Sequence, residues 1–165
     1  MNAQNRSRTL IRAAGAGALA GLAGAEVMTV GEKIEQAFTG RPNSFVPART
    51  LLTLLGRQPS DHDKPTVWNH VMHYGTAASL GALRGIWAVT GIRGVSATAW
   101  HTVLRLGVDQ TLENATGIGA PPATWPRREF AVDVLHKAVF SAATGLVAER
   151  ALEPTLVSQR GRHSH

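Results

Sequence analysis

Residues 13–30 read AAGAGALAGLAGAEVMTV, a run of mostly Ala, Gly and Leu inside an apolar stretch, segment A, of about residues 10–38. In water, each Gly within a helix costs up to about 1 kcal/mol relative to Ala. In a membrane, small residues instead let two helix backbones approach closely, and Gly17 and Gly21 have the four-residue spacing that such contacts use. We therefore predict that segment A is a helix that crosses a bilayer.

Three further segments are poor in charge and about as long as the 20 residues or so that cross a bilayer. Segment B is about residues 66–91, segment C about 95–116 and segment D about 127–152. Segment B also carries Gly and Ala along one face. The predicted fold class is all-α, a four-helix transmembrane bundle, in a single domain of residues 1–165.

The connections contain the residues that end helices. Gly and Pro in residues 39–43 end segment A, residues 90–94 make a tight turn that predicts B and C as antiparallel neighbours, and residues 116–126 separate C from D. Residues 46–57, VPARTLLTLLGR, predict a short amphipathic helix against the bundle or in the membrane interface. We expect residues 157–165 to form a disordered tail. The leucines expected on one side of the short helix are Leu51, Leu52, Leu54 and Leu55.

The composition excludes several classes of protein. The chain has no cysteine, so disulfides and thiolate sites are absent and any metal would need His, Asp or Glu. Its net charge is +6, but the basic residues are scattered, without a patch or interleaved aromatics, so we predict no nucleic-acid binding. Only 17% of the residues are charged, which favours a membrane protein.

Two alternatives to the membrane bundle remain open. Arg6, Arg8 and Arg12 precede the apolar run, and residues 23–25 (Ala-Gly-Ala) offer a cleavage site, as in a secretory signal peptide. A soluble helical bundle is the other, because mean hydropathy is only -0.05 and every segment contains ionisable residues. If the four segments do cross the cell membrane, the N-terminal arginines favour cytoplasmic termini.

The two halves of the chain look like copies of one helical hairpin. With a one-residue insertion, residues 27–40 superpose on residues 103–117, and a proline-containing loop follows each. Residues 70–73 (HVMH) and 133–136 (DVLH) then open segments B and D in the same way. Chance similarity between Ala-rich helices is the alternative. The two hairpins would be about residues 10–91 and about residues 95–152.

Polar side chains recur on all four segments. In segment C they stand every four residues, from His101 to Glu113, and so share one helix face. Such groups in a membrane face an interior pocket and pair with one another, as a proton or ion path or as structural ion pairs of Asp109 or Glu113 with Arg84 or Arg105. The predicted polar residues are Glu26, Glu32, Glu35, Arg84, His101, Arg105, Asp109, Glu113 and Lys137.

The same distribution also outlines a metal centre. Di-metal four-helix bundles take single carboxylates from two helices and a carboxylate-x-x-His pair from each of the other two. Here His70 stands where a bridging carboxylate is expected. Imidazole and carboxylate ligands suit Fe, Mn or Zn. The paired ligands would be His70 with His73 and Asp133 with His136, and the single carboxylates Glu32 or Glu35 and Asp109 or Glu113.

Residues 117–140, GIGAPPATWPRREFAVDVLHKAVF, and residues 69–75, NHVMHYG, resemble the corresponding parts of the YagU-like bacterial inner-membrane proteins. The shared order is a His-bearing helix, a loop with Pro-Pro and Trp, and a last helix with an acidic residue shortly before a His. The resemblance covers about half of the chain and implies an inner-membrane location, but it supplies no established catalytic activity to carry over. The residues that carry it are His101, Pro121, Pro122, Trp125, Asp133 and His136.

These patterns predict a multi-pass membrane protein with a His/Asp/Glu-lined pocket and a binding or transport-like accessory role. A membrane-embedded, metal-dependent oxidoreductase acting on a lipophilic substrate is the first alternative, and a purely structural helical bundle is the second. The expected partners are membrane lipids, and the small-residue faces also favour self-association or a partner membrane protein.

Overall fold

The computed structural model describes residues 3–157, and between their loops these residues are helical, with no strand among them. This confirms the all-α class. A single 3-10 turn lies in the last loop, at Pro122–Thr124. The five α-helices are α1 (Ala3–Thr39), α2 (Val46–Leu54), α3 (Thr66–Thr90), α4 (Gly94–Ala115) and α5 (Arg127–Ala151).

Glycine and proline set the helix ends. Gly91 follows α3 with a left-handed φ of 92°, and its N–H donates to the Trp87 carbonyl, which is a helix-ending geometry that L side chains rarely adopt. Pro126 precedes α5 directly, where a residue without an N–H leaves no orphan donor. The predicted segments B, C and D therefore agree with α3, α4 and α5 to within about two residues.

The backbones of α1 and α3 touch through glycine. A Cβ added to Gly17 would lie 2.7 Å from the Gly85 Cα, and one added to Gly81 would lie 2.6 Å from the Gly21 Cα. Ala13 approaches Gly85 and Gly21 approaches Ala77, so the two helices run antiparallel. The small-residue spacing thus makes the helix contact that the sequence predicts.

Helix α4 packs mainly against α5 and only slightly against α3. The sequence predicts segments B and C as antiparallel neighbours, but the corresponding contact between α3 and α4 is minor. The reason lies in the turn between them. Arg93 donates from Nη1 to the Leu152 carbonyl (2.7 Å) and from Nη2 to the Glu149 carbonyl (2.5 Å), and the Gly94 N–H donates to Glu149 Oε1 (2.9 Å). The start of α4 is therefore tied to the end of α5.

The predicted amphipathic helix forms as α2 and packs against α3. Leu52 is buried, but Leu54 and Leu55 are exposed, so the four leucines do not share one buried side. The reason is the 100° turn per residue: Leu52 shares a face with the buried Ala48 one turn earlier, whereas Leu54 lies about 200° further around the helix.

One residue of the predicted disordered tail, Val157, falls within the described residues. It lies beside Gly91, and the neighbouring Leu156 N–H donates to the Val89 carbonyl (2.8 Å). The rest of the predicted tail, 158–165, lies outside the described residues.

The interior is unusually polar for its size. Among the described residues, Phe140 is the one apolar member of the six largest fully buried side chains, and eight of the thirteen buried hydrophobic residues are alanines. Large apolar side chains instead point outward, including Leu19 on α1, Val95 on α4 and Leu135 on α5. The polar members of the six are Arg84, His101, Thr50, Thr144 and Ser141.

Among the described residues, α1 and α5 each contain an 18-residue window long and apolar enough to cross a membrane, with a mean hydropathy of 1.4. Only 39% of the α1 window and 28% of the α5 window is buried, whereas the core helix of a soluble protein is mostly buried. Two of the four predicted spans thus meet this test, and α3 and α4 do not.

Helix α1 runs without a break through residues 23–25, the cleavage site of the signal-peptide alternative, where Gly24 and Ala25 are buried. Cleavage at this point would remove Gly17 and Gly21, through which α1 contacts α3.

Candidate binding cavity

A cavity of about 670 Å³ lies at the end of the molecule where α2 and the 116–126 loop are found. Its walls come from the second half of α1, the second half of α4 and the first half of α5. The rim includes the exposed Thr39, Arg128 and Glu129, and the deep wall includes the buried Arg105 and Lys137. Its lining contains six carboxylates, four Lys or Arg side chains and two His.

A chain of ion pairs crosses the deep wall from α4 to α5. Arg105 Nε donates to Asp109 Oδ2 (2.9 Å), and Lys137 Nζ lies 3.6 Å from the same oxygen. Lys137 also donates to Asp133 Oδ1. Both cations are buried, and the attraction to their carboxylate partners offsets the free-energy cost of removing these charges from water. The Arg105 guanidinium also lies over the Phe140 ring, 4.9 Å from its centroid.

A second ion-pair group lies on the α1 side. Gly40 ends α1, and the chain then turns back so that Arg41 Nη2 donates to Glu35 Oε2 (2.9 Å) and lies 3.6 Å from Glu32 Oε1. The two carboxylates of α1 thus share one guanidinium. Arg41 is not among the site residues predicted from the sequence, although its place just after the helix-ending glycine is a usable signal.

Some polar groups in the cavity keep no partner. The Glu113 carboxylate, half-buried, makes no hydrogen bond or ion pair with a described residue. Asp133 Oδ2 and Arg105 Nη1 are buried atoms that also lack a hydrogen-bond partner among the residues described. Buried groups of this kind are normally paired, so each marks a place where a ligand or water would be stabilised.

A small recess of about 30 Å³ adjoins the deep wall. Arg105, Asp109 and Glu113 line both the cavity and the recess, whereas Thr50 of α2 lines the recess and not the cavity. Thr50 is completely buried, and its hydroxyl has no hydrogen-bond partner among the described residues. The recess is large enough for one water molecule.

Nine of the thirteen predicted site residues line this cavity. Of the two predicted ligand pairs, His73, Asp133 and His136 are included, and Thr29 Oγ1 lies 3.2 Å from His73 Nε2. The lining residues predicted from sequence are Glu32, Glu35, His73, Arg105, Asp109, Glu113, Asp133, His136 and Lys137.

The other four predicted residues lie elsewhere. Glu26 and His70 are exposed on the outer faces of α1 and α3, where the Tyr74 hydroxyl donates to Glu26 Oε1 (2.7 Å) and the His70 ring stacks on Tyr74. Both face away from the cavity because each is turned about its helix axis from the lining residues of the same helix.

His101 is fully buried between helices rather than in the cavity. Its Nε2 lies 3.1 Å from the Leu80 carbonyl oxygen and its Nδ1 lies 3.1 Å from Ser141 Oγ. Because a carbonyl can only accept, Nε2 carries the hydrogen and Nδ1 is available to accept from Ser141. His101 thus links α3, α4 and α5 in the interior.

The predicted pairing of Arg84 with Asp109 or Glu113 is wrong. Arg84 is completely buried at the opposite end of the molecule, where it forms an ion pair with Glu149 of α5 and donates to the Ile92 carbonyl (3.2 Å). Arg84 lies near the end of α3, close to the 91–93 turn, whereas Asp109 lies four turns along α4. The predicted pairing of Arg105 with Asp109 is confirmed.

The predicted metal ligands are only partly brought together. His73, Asp133 and His136 line the cavity, but His70 does not, and Asp133 is engaged by Lys137. Within residues 3–157, no three His, Asp or Glu side chains are grouped so that they could hold a metal ion. The cavity is therefore organised around ion pairs.

Comparison of the chain with known protein families, curated proteins and solved structures found no match. The resemblance to the YagU-like proteins and the internal repeat therefore stay predictions. Of the positions that the repeat equates, Glu32 and Asp109 both line the cavity, and so do His73 and His136, whereas Asp133 lines it and its counterpart His70 does not.

Proposed function

We propose that this chain is an integral membrane protein in which α1, α3, α4 and α5 form a four-helix transmembrane bundle around a polar ligand-binding cavity. Its role would be to bind a small polar molecule or ion, as a receptor-like or transport accessory component. The observation that carries the proposal is the distribution of polarity: charged and hydrogen-bonding side chains are buried, and large apolar side chains are exposed on the helices.

This distribution is the reverse of what water favours. A soluble helical protein of this size buries Leu, Ile and Phe, because removing apolar surface from water drives its folding. Here the buried apolar residues are mostly alanines, and the helices meet by glycine contacts and interior polar bonds. Those are the interactions that hold helices together when lipid covers the outside.

The length of the helices fits the same proposal. Helix α4 has 22 residues and is the shortest of the four long helices; at 1.5 Å per residue it is about 33 Å long, enough for the roughly 30 Å hydrocarbon core. Charged residues of α3 and α4, which lower their hydropathy, include the inward-facing Arg84 and Arg105. With the termini in the cytoplasm, the cavity would open toward the outer side.

Cell fractionation tests the membrane location. We expect the protein to sediment with membranes, to remain there after an alkaline carbonate wash, and to be released by detergent. Recovery in the soluble fraction without detergent would overturn the proposal in favour of a soluble bundle.

Thiol labelling of intact cells tests the orientation, because the chain has no cysteine of its own. Ser60→Cys, in the loop at the cavity end, is expected to react with a membrane-impermeant maleimide in intact cells. Ser7→Cys, near the start of α1, is expected to react only after lysis. The reverse pattern would place the cavity mouth in the cytoplasm.

The metal-dependent oxidoreductase is a weaker candidate, because the described His, Asp and Glu side chains form no group of three suited to a metal. Elemental analysis of purified protein beside the His73→Ala, His136→Ala double variant separates the two. Near-stoichiometric Fe, Mn or Zn that is lost in the variant would favour the enzyme.

A further inference from the structure

We infer that the ligand of the cavity is a small organic cation, bound by Glu113 with the ammonium group against the free carboxylate oxygens. This inference rests on the proposed binding function and names the chemical class of the ligand. It comes from comparing which charges in the cavity are already neutralised with which are not.

The buried cations are all occupied. Arg105 is paired with Asp109, Lys137 with both Asp109 and Asp133, and the half-buried Arg41 with the α1 carboxylates. A ligand anion would have to compete with these carboxylates for each of these three cations. It would also enter a space that holds more carboxylates than Lys and Arg side chains. The fourth lining cation, Arg128, is exposed at the rim of the cavity, away from the deep wall.

Inside the rim, the acidic groups left without a full set of partners are the carboxyl groups of Glu113 and Asp133. Glu113 has no partner among the described residues, and Asp133 Oδ2 is buried without one although Oδ1 accepts from Lys137. Both residues line the same cavity. An ammonium group entering here would gain charge-assisted hydrogen bonds without breaking an existing pair.

The rest of the lining suits the organic part of such a ligand. Met28, Ile118 and Val132 supply apolar wall, and the Trp125 ring borders the mouth with its N–H fixed on the Ala120 carbonyl (2.8 Å). Aromatic faces attract cations as well as apolar groups. A volume of about 670 Å³ holds a molecule far larger than a bare metal ion.

Arg105 Nη1, a hydrogen-bond donor in the deep wall, has room beside it for a water molecule as its partner. Arg105 Nη1 lacks an acceptor among the described residues, and the adjoining recess holds the unpartnered Thr50 hydroxyl. One water molecule in that recess could accept from the guanidinium and bond to Thr50. The leftover donor therefore does not require an anionic ligand.

Three phenylalkyl probes of similar size and different charge test the inference on the full-length protein in lipid nanodiscs: 2-phenylethylammonium, the neutral 2-phenylethanol and the anionic 3-phenylpropionate. Titration calorimetry is expected to give binding of the ammonium, at least about tenfold weaker binding of the alcohol and weaker binding still of the carboxylate. Because the comparison uses the unaltered chain, it does not depend on whether a variant folds.

Glu113→Gln keeps the shape of the side chain and removes its ionisable group, and it breaks no ion pair between described residues. We expect it to weaken 2-phenylethylammonium binding about tenfold. The matched control is Glu153→Gln, an exposed carboxylate beyond the end of α5, which is expected to leave the affinity unchanged.

Preferred binding of 3-phenylpropionate would overturn the cation inference while leaving the cavity as a binding site. Unchanged ammonium affinity in Glu113→Gln would overturn the assignment of Glu113. Absence of binding by all three probes would overturn the inference and count against the binding function itself.

Discussion

Arg84 of α3 and Glu149 of α5 form an ion pair in the interior, and the arginine side chain has no exposed surface. The same carboxylate accepts from the N–H of Gly94 at the start of α4. One residue of α5 therefore holds the end of α3 and the beginning of α4. This pair closes the end of the molecule opposite the cavity.

Replacing Arg84 by Met leaves Glu149 without its main partner inside the molecule. Removing one member of a buried pair typically costs about 3–5 kcal/mol, and we expect a loss of that order in the free energy of unfolding. Thermal or denaturant unfolding in detergent micelles measures it. Arg150→Met, on the exposed side of the same last turn of α5, is the control and is expected to change stability by less than about 0.5 kcal/mol. Equal effects of the two changes would contradict the role given to the pair.

Gly17 and Gly15 provide a matched test of the backbone contact between α1 and α3. A Cβ at Gly17 would meet the backbone of Gly81 and Gly85, whereas one at Gly15 meets nothing within 4 Å. Gly17→Val is expected to destabilise the protein by about 1–3 kcal/mol through overpacking, and Gly15→Val is expected to be nearly neutral. Unfolding midpoints compare the two variants, and similar midpoints would argue against the close approach.

Lys137 is the cation that two cavity carboxylates share. In Lys137→Met, Asp109 keeps Arg105 but Asp133 loses the one ion-pair partner it has within residues 3–157, so we expect a loss of a few kcal/mol in stability. The double variant Lys137→Met, Asp133→Asn should recover part of that loss, because the unpaired charge is gone. Unfolding measurements with Lys64→Met, an exposed lysine, as control test this. No recovery in the double variant would mean that the lysine acts through packing alone.

The elements of the fold follow closely from the sequence. Gly and Pro mark the ends of helices, and Gly91 and Pro126 do so at the start and end of predicted loops. The small-residue spacing at Gly17 and Gly21 also predicts a close helix contact, which forms with α3. These features are local, so they can be read without knowing which helices are neighbours.

The partners of the polar residues follow less well, because they depend on depth along each helix. Arg105 with Asp109 is an i, i+4 pair within one helix and is predicted correctly. For Arg84, the sequence suggests Asp109 or Glu113 of α4 as a partner. Arg84 instead lies at the same level of the bundle as Glu149, near the C-terminal end of α5, and pairs with it. His101 belongs to the polar face of α4 but lies deeper than the cavity, against Leu80 and Ser141.

Cysteine reactivity in isolated membranes tests whether lipid surrounds the outward apolar faces. Leu19 on α1 is 70% exposed and Val103 on α4 is 56% exposed in the protein alone, and Ser60 lies in a loop. With broken membranes and a water-soluble maleimide, we predict that Ser60→Cys reacts readily. Leu19→Cys and Val103→Cys should react at least about tenfold more slowly until the membrane is dissolved, because the reactive thiolate needs water. Equal rates at all three positions before the membrane is dissolved would contradict a transmembrane bundle.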